Sequence, residues 1–169
     1  MTAAAATDPP LHPGMEPLAG LLGTWRGEGA GEYPTIEPFR YREEVRFWHV
    51  GKPFLAYAQR TWAADDGRPL HAETGYWRLA PDGTVEVVLA HPTGIVEVLE
   101  GRLEPAAGGG RVELASTAMA RTASAKEVTA LHRVFELRDG VLAYTLAMAA
   151  VGQPLVHHLA AELRRADPP

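Results

Sequence analysis

Apolar and polar residues alternate in short runs along most of the chain. Val85, Val87 and Leu89 fall on one side of such a run, and Leu131, Arg133, Phe135 and Leu137 repeat with the same period of two, one charge among apolar positions. A period of two is the signature of a strand with one buried face. The pattern predicts about ten strands, at roughly Thr24–Tyr33, Phe39–Val50, Phe54–Trp62, His71–Leu79, Thr84–His91, Gly94–Leu103, Arg111–Met119, Glu127–Leu137, Val141–Ala150 and Leu155–Arg164. Gly and Pro punctuate them, as in Asp65-Asp66-Gly67-Arg68-Pro69, Pro81-Asp82-Gly83 and Arg138-Asp139-Gly140. Asp-Gly supplies the positive φ of tight hairpin turns, and Pro presets φ at turn starts. Only Glu16–Leu22 reads as helical, and it is a single short piece.

Without a long amphipathic helix, α/β layering is excluded. Hairpin-length links forbid parallel crossovers. The expected fold is therefore all-β, a ten-stranded antiparallel up-and-down β-barrel with a short N-terminal helical turn. Ten strands enclose more space than side chains fill, which leaves a ligand cavity or cleft. A two-sheet sandwich without a cavity is the alternative. Residues 15–166 form one domain in this reading. Residues 1–14, MTAAAATDPPLHPG, lack a basic start and an apolar segment and read as a disordered leader. The expected compartment is the cytoplasm.

Composition narrows the chemistry. At 169 residues the chain is one domain long, and it has no cysteine. Disulfide scaffolds, thiolate zinc sites and iron–sulfur clusters are excluded. The net charge of −5 has the wrong sign for gripping phosphate backbones, so no nucleic-acid partner is expected. No apolar run reaches the length of a membrane span, so no membrane partner is expected either.

Several motifs lead nowhere. Gly27-x-Gly29-x-Gly31 would need a following helix to cradle phosphate, but Tyr33-Pro34-Thr35-Ile36-Glu37-Pro38 follows; glycines relieving crowding in a bent strand explain it. His71-Ala72-Glu73 matches the His-x-Glu of zinc deaminases, whose cysteine ligands this chain lacks. Glu43-Glu44 reads as a solvated face. His12, His49, His71, His91 and His132 show no metal-ligand spacing and read as structural or exposed. Trp25 reads as a plug at one barrel end.

Two end segments carry more information. Near the start stands Gly23-x-Trp25-x-Gly27-x-Gly29, followed by Tyr33-Pro34-Thr35-Ile36. The last predicted strand reads Pro154-Leu155-Val156-His157-His158-Leu159-x-Ala161-x-Leu163-x-Arg165. Between them lie Tyr76-Trp77-Arg78, Ala90-His91-Pro92-Thr93-Gly94, Ala125-Lys126-Glu127-Val128 and Leu131-His132-Arg133. In this combination and order, from about Pro17 to Arg165, the chain resembles the nitrobindin family. Gly-x-Trp alone also occurs in lipocalin and fatty-acid-binding barrels.

The resemblance implies a ten-stranded barrel with haem b, one per subunit, in a surface cleft. It implies a histidine ligand to ferric iron, reversible nitric oxide binding, and isomerisation of peroxynitrite to nitrate. Carried over by position, the axial ligand is His158, and Thr35 and Lys126 meet the haem. Lys126 is one of only two lysines and suits a propionate. Strand parity speaks differently: Leu155, His157, Leu159, Ala161 and Leu163 share one face, which makes His157 the rival ligand. A β-bulge near Pro154 would shift that parity in favour of His158. Met148 is a candidate to pack against the porphyrin, or plain core. The alternative function is a non-catalytic carrier of a small hydrophobic ligand in the same barrel. A homodimer is compatible with the sequence, which does not specify one.

Overall fold

The computed structural model describes residues 9–166. The expected leader falls largely on residues 1–8, which lie outside the described residues. Pro13 and Gly14 open a 3₁₀ helix, Pro13–Leu21. This is the predicted helical piece, longer at its start and tighter in its winding; Pro17 within it removes an amide that an α-helix would need.

Ten antiparallel strands follow: β1 (Gly23–Tyr33), β2 (Ile36–Trp48), β3 (Leu55–Ala63), β4 (Pro69–Leu79), β5 (Thr84–His91), β6 (Ile95–Ala106), β7 (Gly109–Arg121), β8 (Val128–Arg138), β9 (Val141–Ala150) and β10 (Val156–Arg165). Each pairs with its neighbours in sequence. β1 pairs with β10 from Trp25↔Arg165 to Gly31↔Leu159 and so closes the barrel. The sandwich alternative is thereby excluded. The turn chemistry matches the sequence: Asp139 and Gly140 both take positive φ (50° and 77°), the geometry that Asp-Gly favours between two strands. No helix among the described residues is long and apolar enough to cross a membrane.

The core occupies one end of the barrel. The 3₁₀ helix lies across that end with Met15, Leu18 and Leu21 buried. Trp25 is fully buried there, its indole N–H donating to the Leu21 carbonyl (2.7 Å) and the Arg165 guanidinium over its ring at 4.4 Å. Trp25 is thus the plug that the sequence suggests. Behind it Trp77 meets Phe47 and Phe135 edge-on, at centroid distances of 5.4 and 5.1 Å. Such edge contacts add about 0.5–1.5 kcal/mol each beyond burial. Aromatic volume fills this half. The other half, towards the β1–β2 turn and the start of β10, is hollow.

Candidate functional site

The hollow half is a cavity of about 1350 Å³. That exceeds the roughly 300–1,000 Å³ of common small-molecule sites. Its mouth lies between the Pro34-Thr35 turn, the loop joining β7 and β8, and the start of β10. Phe39, Leu146, Met148 and Leu159 give it apolar walls.

His158 enters the cavity because β10 is bulged. Pairing with β9 runs Val156↔Met148 and His157↔Ala147, then resumes at Leu159↔Leu146, so His158 is the extra residue. A bulge lets consecutive side chains face the same way. His158 and Leu159 both line the cavity, while His157 is exposed and lines a shallow outer groove with Pro38 and Ala160. Simple alternation pointed to His157; the bulge, at His158 itself, reverses that parity.

The His158 ring is fixed on three sides. Its Nδ1 lies 2.9 Å from the Glu32 carbonyl oxygen. A carbonyl only accepts, so Nδ1 carries the hydrogen and Nε2 keeps a free lone pair. Tyr33 meets the ring edge-on at 5.2 Å, and Phe39 flanks it at 6.4 Å. Burial is the main reason the imidazole pKa lies below its ordinary value, with the neighbouring histidines His157 and His71 acting in the same direction and the Glu32 bond opposing. The group is therefore a neutral nitrogen donor with its tautomer set by a hydrogen bond, the form that binds metal ions.

Glycines make this packing feasible. A Cβ on Gly31 would stand 2.3 Å from the Phe39 ring, and one on Gly29 the same distance from the Tyr41 ring. The bare β1 backbone lets both rings pack closely against it, as the crowding argument for this Gly run anticipates. Tyr33 anchors the mouth: its hydroxyl accepts from the Ala150 amide (2.9 Å) and shares its hydrogen between the carbonyls of Met148 and Ala150.

Thr35 and Lys126 both line the cavity and are exposed at its mouth. Thr35 sits in the two-residue turn between Tyr33 and Ile36, and Lys126 in the loop before β8. Met148 lines the cavity and also packs against the core cluster. Sequence positions 35, 126 and 158 thus converge on one opening.

The cavity floor is polar, which the sequence reading missed. Glu43 is 2% exposed, not solvated as expected. Its carboxyl accepts from Gln59 Nε2 (2.7 Å) and the Tyr144 hydroxyl (2.9 Å), and Tyr41 lies 2.8 Å from Tyr144. Burial raises the Glu43 pKa to about 7, the hydrogen bonds from Gln59 and Tyr144 opposing. Beside it Arg133 grips Glu73 through two bonds (2.7 and 2.9 Å) and also reaches Glu97. Burial works to raise the Glu73 pKa, but the Arg133 charge and bonds prevail and hold it well below the usual carboxylate range. His71 and His91 complete this group. The signal was present: Glu43, Glu73, Glu97 and Arg133 each occupy an inward position of their strand's alternation.

A closed antiparallel barrel with an apolar-walled cavity and one oriented imidazole at its mouth defines a ligand-binding β-barrel able to hold a metal-centred, flat hydrophobic group. Residues 14–165 match the family model described as the THAP4-like, heme-binding β-barrel domain. The chain belongs to this family. It is 59% identical over 155 residues to "Peroxynitrite isomerase 2" of Mycobacterium ulcerans, covering 92% of this chain and 96% of that one. It is 56% identical over 167 residues to "Peroxynitrite isomerase" of Nocardia farcinica, covering 98% and 99%. Among solved structures, Rv2717c from M. tuberculosis superposes with a TM-score of 0.90 at 51% identity, over 94% of this chain and all of that one.

Proposed function

We propose that this protein binds one ferric haem b in the cavity, with His158 as the axial ligand, binds nitric oxide, and isomerises peroxynitrite to nitrate. The observation that carries the reading is the state of His158: neutral, hydrogen-bonded through Nδ1 to the Glu32 carbonyl, and with Nε2 free. The residues fit haem. The walls near His158 are apolar (Phe39, Leu159, Met148) and the mouth carries Lys126 as a cation for a carboxylate. The relatives named as peroxynitrite isomerases make that reaction the natural assignment.

When bound, haem supplies a Lewis-acidic ferric centre with a position left for a small oxygen or nitrogen ligand. The chain does the rest. The Glu32 carbonyl holds the His158 ring at a set orientation and strengthens Nε2 as a donor. Tyr33 and Phe39 keep the ring from turning. Phe39, Leu159 and Met148, which line the cavity, would exclude water from a bound porphyrin. Lys126 and Thr35, at the rim, would hold the propionates by charge and by hydroxyl.

The test is a visible spectrum of the purified protein with added haemin, and stopped-flow decay of peroxynitrite with the nitrate yield. The expected result is a ferric Soret band and catalysed nitrate formation, both lost in His158→Ala and retained in His157→Ala. The opposite dependence overturns the ligand assignment. A protein that takes up no haemin overturns the whole reading and leaves a carrier of another hydrophobic ligand.

A further inference from the structure

The His71, Glu73 and His91 side chains lie in the wall of the same cavity as His158, on β4 and at the end of β5 rather than on β10. His71 Nε2 and His91 Nδ1 are 3.1 Å apart, His91 Nδ1 and Glu73 Oε2 3.5 Å, and His71 Nε2 and Glu73 Oε2 3.8 Å. A triangle with these sides has a centre about 2.0 Å from all three atoms, which is the bond length of zinc to imidazole nitrogen and carboxylate oxygen.

The angles discriminate between metals. At a metal about 2.1 Å from each atom, these separations subtend roughly 95°, 113° and 130°. An octahedral facial triad needs about 90° at each, whereas tetrahedral or trigonal zinc accepts the wider set.

The surroundings are those of a metal-binding histidine. His91 Nε2 lies 2.9 Å from Glu97 Oε1, a carboxylate that can only accept. Nε2 therefore carries the hydrogen, and Nδ1 turns a bare lone pair towards His71 and Glu73. A carboxylate behind a ligating imidazole is the usual outer support of zinc sites. Glu73 is oriented from the other side by Arg133 and by the Tyr57 hydroxyl (2.8 Å).

Charge points the same way. Glu73 and Glu97 are 5% and 1% exposed, and Arg133 is the one buried guanidinium that faces them. Two buried carboxyls thus share a single buried guanidinium. Glu97 Oε2 is buried without any hydrogen-bond partner. An uncompensated buried charge is strongly unfavourable, so a cation at the cluster is favoured.

We propose that His71, His91 and Glu73 bind a divalent transition metal of the zinc class, with Glu97 supporting His91 from behind and a fourth position open to the cavity. The His-x-Glu string of β4, orphaned in the sequence for want of cysteines, finds its third ligand in His91. The site does not depend on the haem reading, and its failure is separable from it.

The experiment is equilibrium dialysis of the protein, with and without added haemin, against Zn²⁺ at pH 7.5, with zinc per chain read by atomic emission and its ligands by zinc-edge X-ray absorption. One zinc per chain at low micromolar Zn²⁺ is expected, with imidazole scattering in the edge spectrum. His71→Ala should weaken uptake by about 100-fold or more, and Glu97→Gln, which alters the support of His91 and a bond from Arg133 but no ligand, by about 10–100-fold. His71 is half-exposed, so its variant should fold, and an unchanged Soret band and thermal midpoint check this. His158→Ala and His157→Ala should leave uptake unchanged. Three results overturn the proposal: no saturable zinc at tens of micromolar; uptake indifferent to His71→Ala; or uptake abolished by His158→Ala.

Discussion

Glu43 sets up a pH dependence of stability that a single substitution isolates. The carboxyl is buried behind the cavity floor, bonded to the lining residues Gln59 and Tyr144, and its pKa is raised from the ordinary 4.5 to about 7, chiefly by burial. Its folded value lies above its unfolded value, so between about pH 4.5 and 7 the native state holds a proton that the unfolded chain has released. The stability tied to that proton is fully present below pH 4.5 and is lost as pH rises through 7. A shift of this size corresponds to about 3 kcal/mol. In the wild type the effect is opposed in part. His158 has a lowered pKa and so contributes stability that is lost as pH falls below its ordinary value, which opposes the Glu43 slope in part of the same window.

Glu43→Gln removes only the first effect. Glutamine keeps the shape and can still meet Gln59 and Tyr144, so the variant should match the wild type to within about 1 kcal/mol at pH 5. By pH 8 it should be more stable than the wild type by about 2–3 kcal/mol. The assay is denaturant unfolding at pH 5, 6, 7 and 8 with haem loading held constant, comparing extrapolated stabilities of the two proteins. A difference that stays flat across this range would refute the claim that Glu43 is protonated in the fold at acid pH.

Three further substitutions probe the other parts of the site. Arg133→Met leaves Glu73 and Glu97 buried without their cation, and chemical denaturation at pH 7 should show a loss of about 3–5 kcal/mol, partly restored by adding Glu73→Gln. Gly31→Ala puts a Cβ 2.3 Å from the Phe39 ring, so the ring must leave the His158 edge; stability should fall by about 1–3 kcal/mol and haemin affinity should fall with it, and unchanged haemin binding would show that Phe39 does not position the ligand. Lys126→Ala, at an exposed position, should speed haem loss only about two- to fivefold, and the difference should vanish at high salt, as measured by transfer of haem to an acceptor protein.

The barrel was legible in the sequence because each of its causes is local. Period-two alternation marked ten strands, and Asp-Gly and Pro placed the turns between them to within a few residues. The His158 motif was also legible, but its orientation was not. Parity arithmetic assumes an unbroken ladder, and the ladder breaks at the very residue in question, where β10 carries one residue more than β9. The polar floor was misread for a different reason. Glu43, Glu73, Glu97 and Arg133 all stood at inward positions, beside Val45, Trp77, Leu99 and Phe135, but a charge at an inward position reads as an exception until its partner is known. Those partners lie far along the chain: Glu73 meets Arg133 across 60 residues, and Glu43 meets Tyr144 across 101. One misplaced charge on one strand is noise, whereas charges at inward positions on β2, β4, β6 and β8 cannot each be noise. Buried singly, each would cost several kcal/mol; buried together, they must compensate one another or a ligand. Inward charge repeated across alternate strands of one predicted barrel is therefore a signal for a lined cavity, and it could have been read before any coordinate was known.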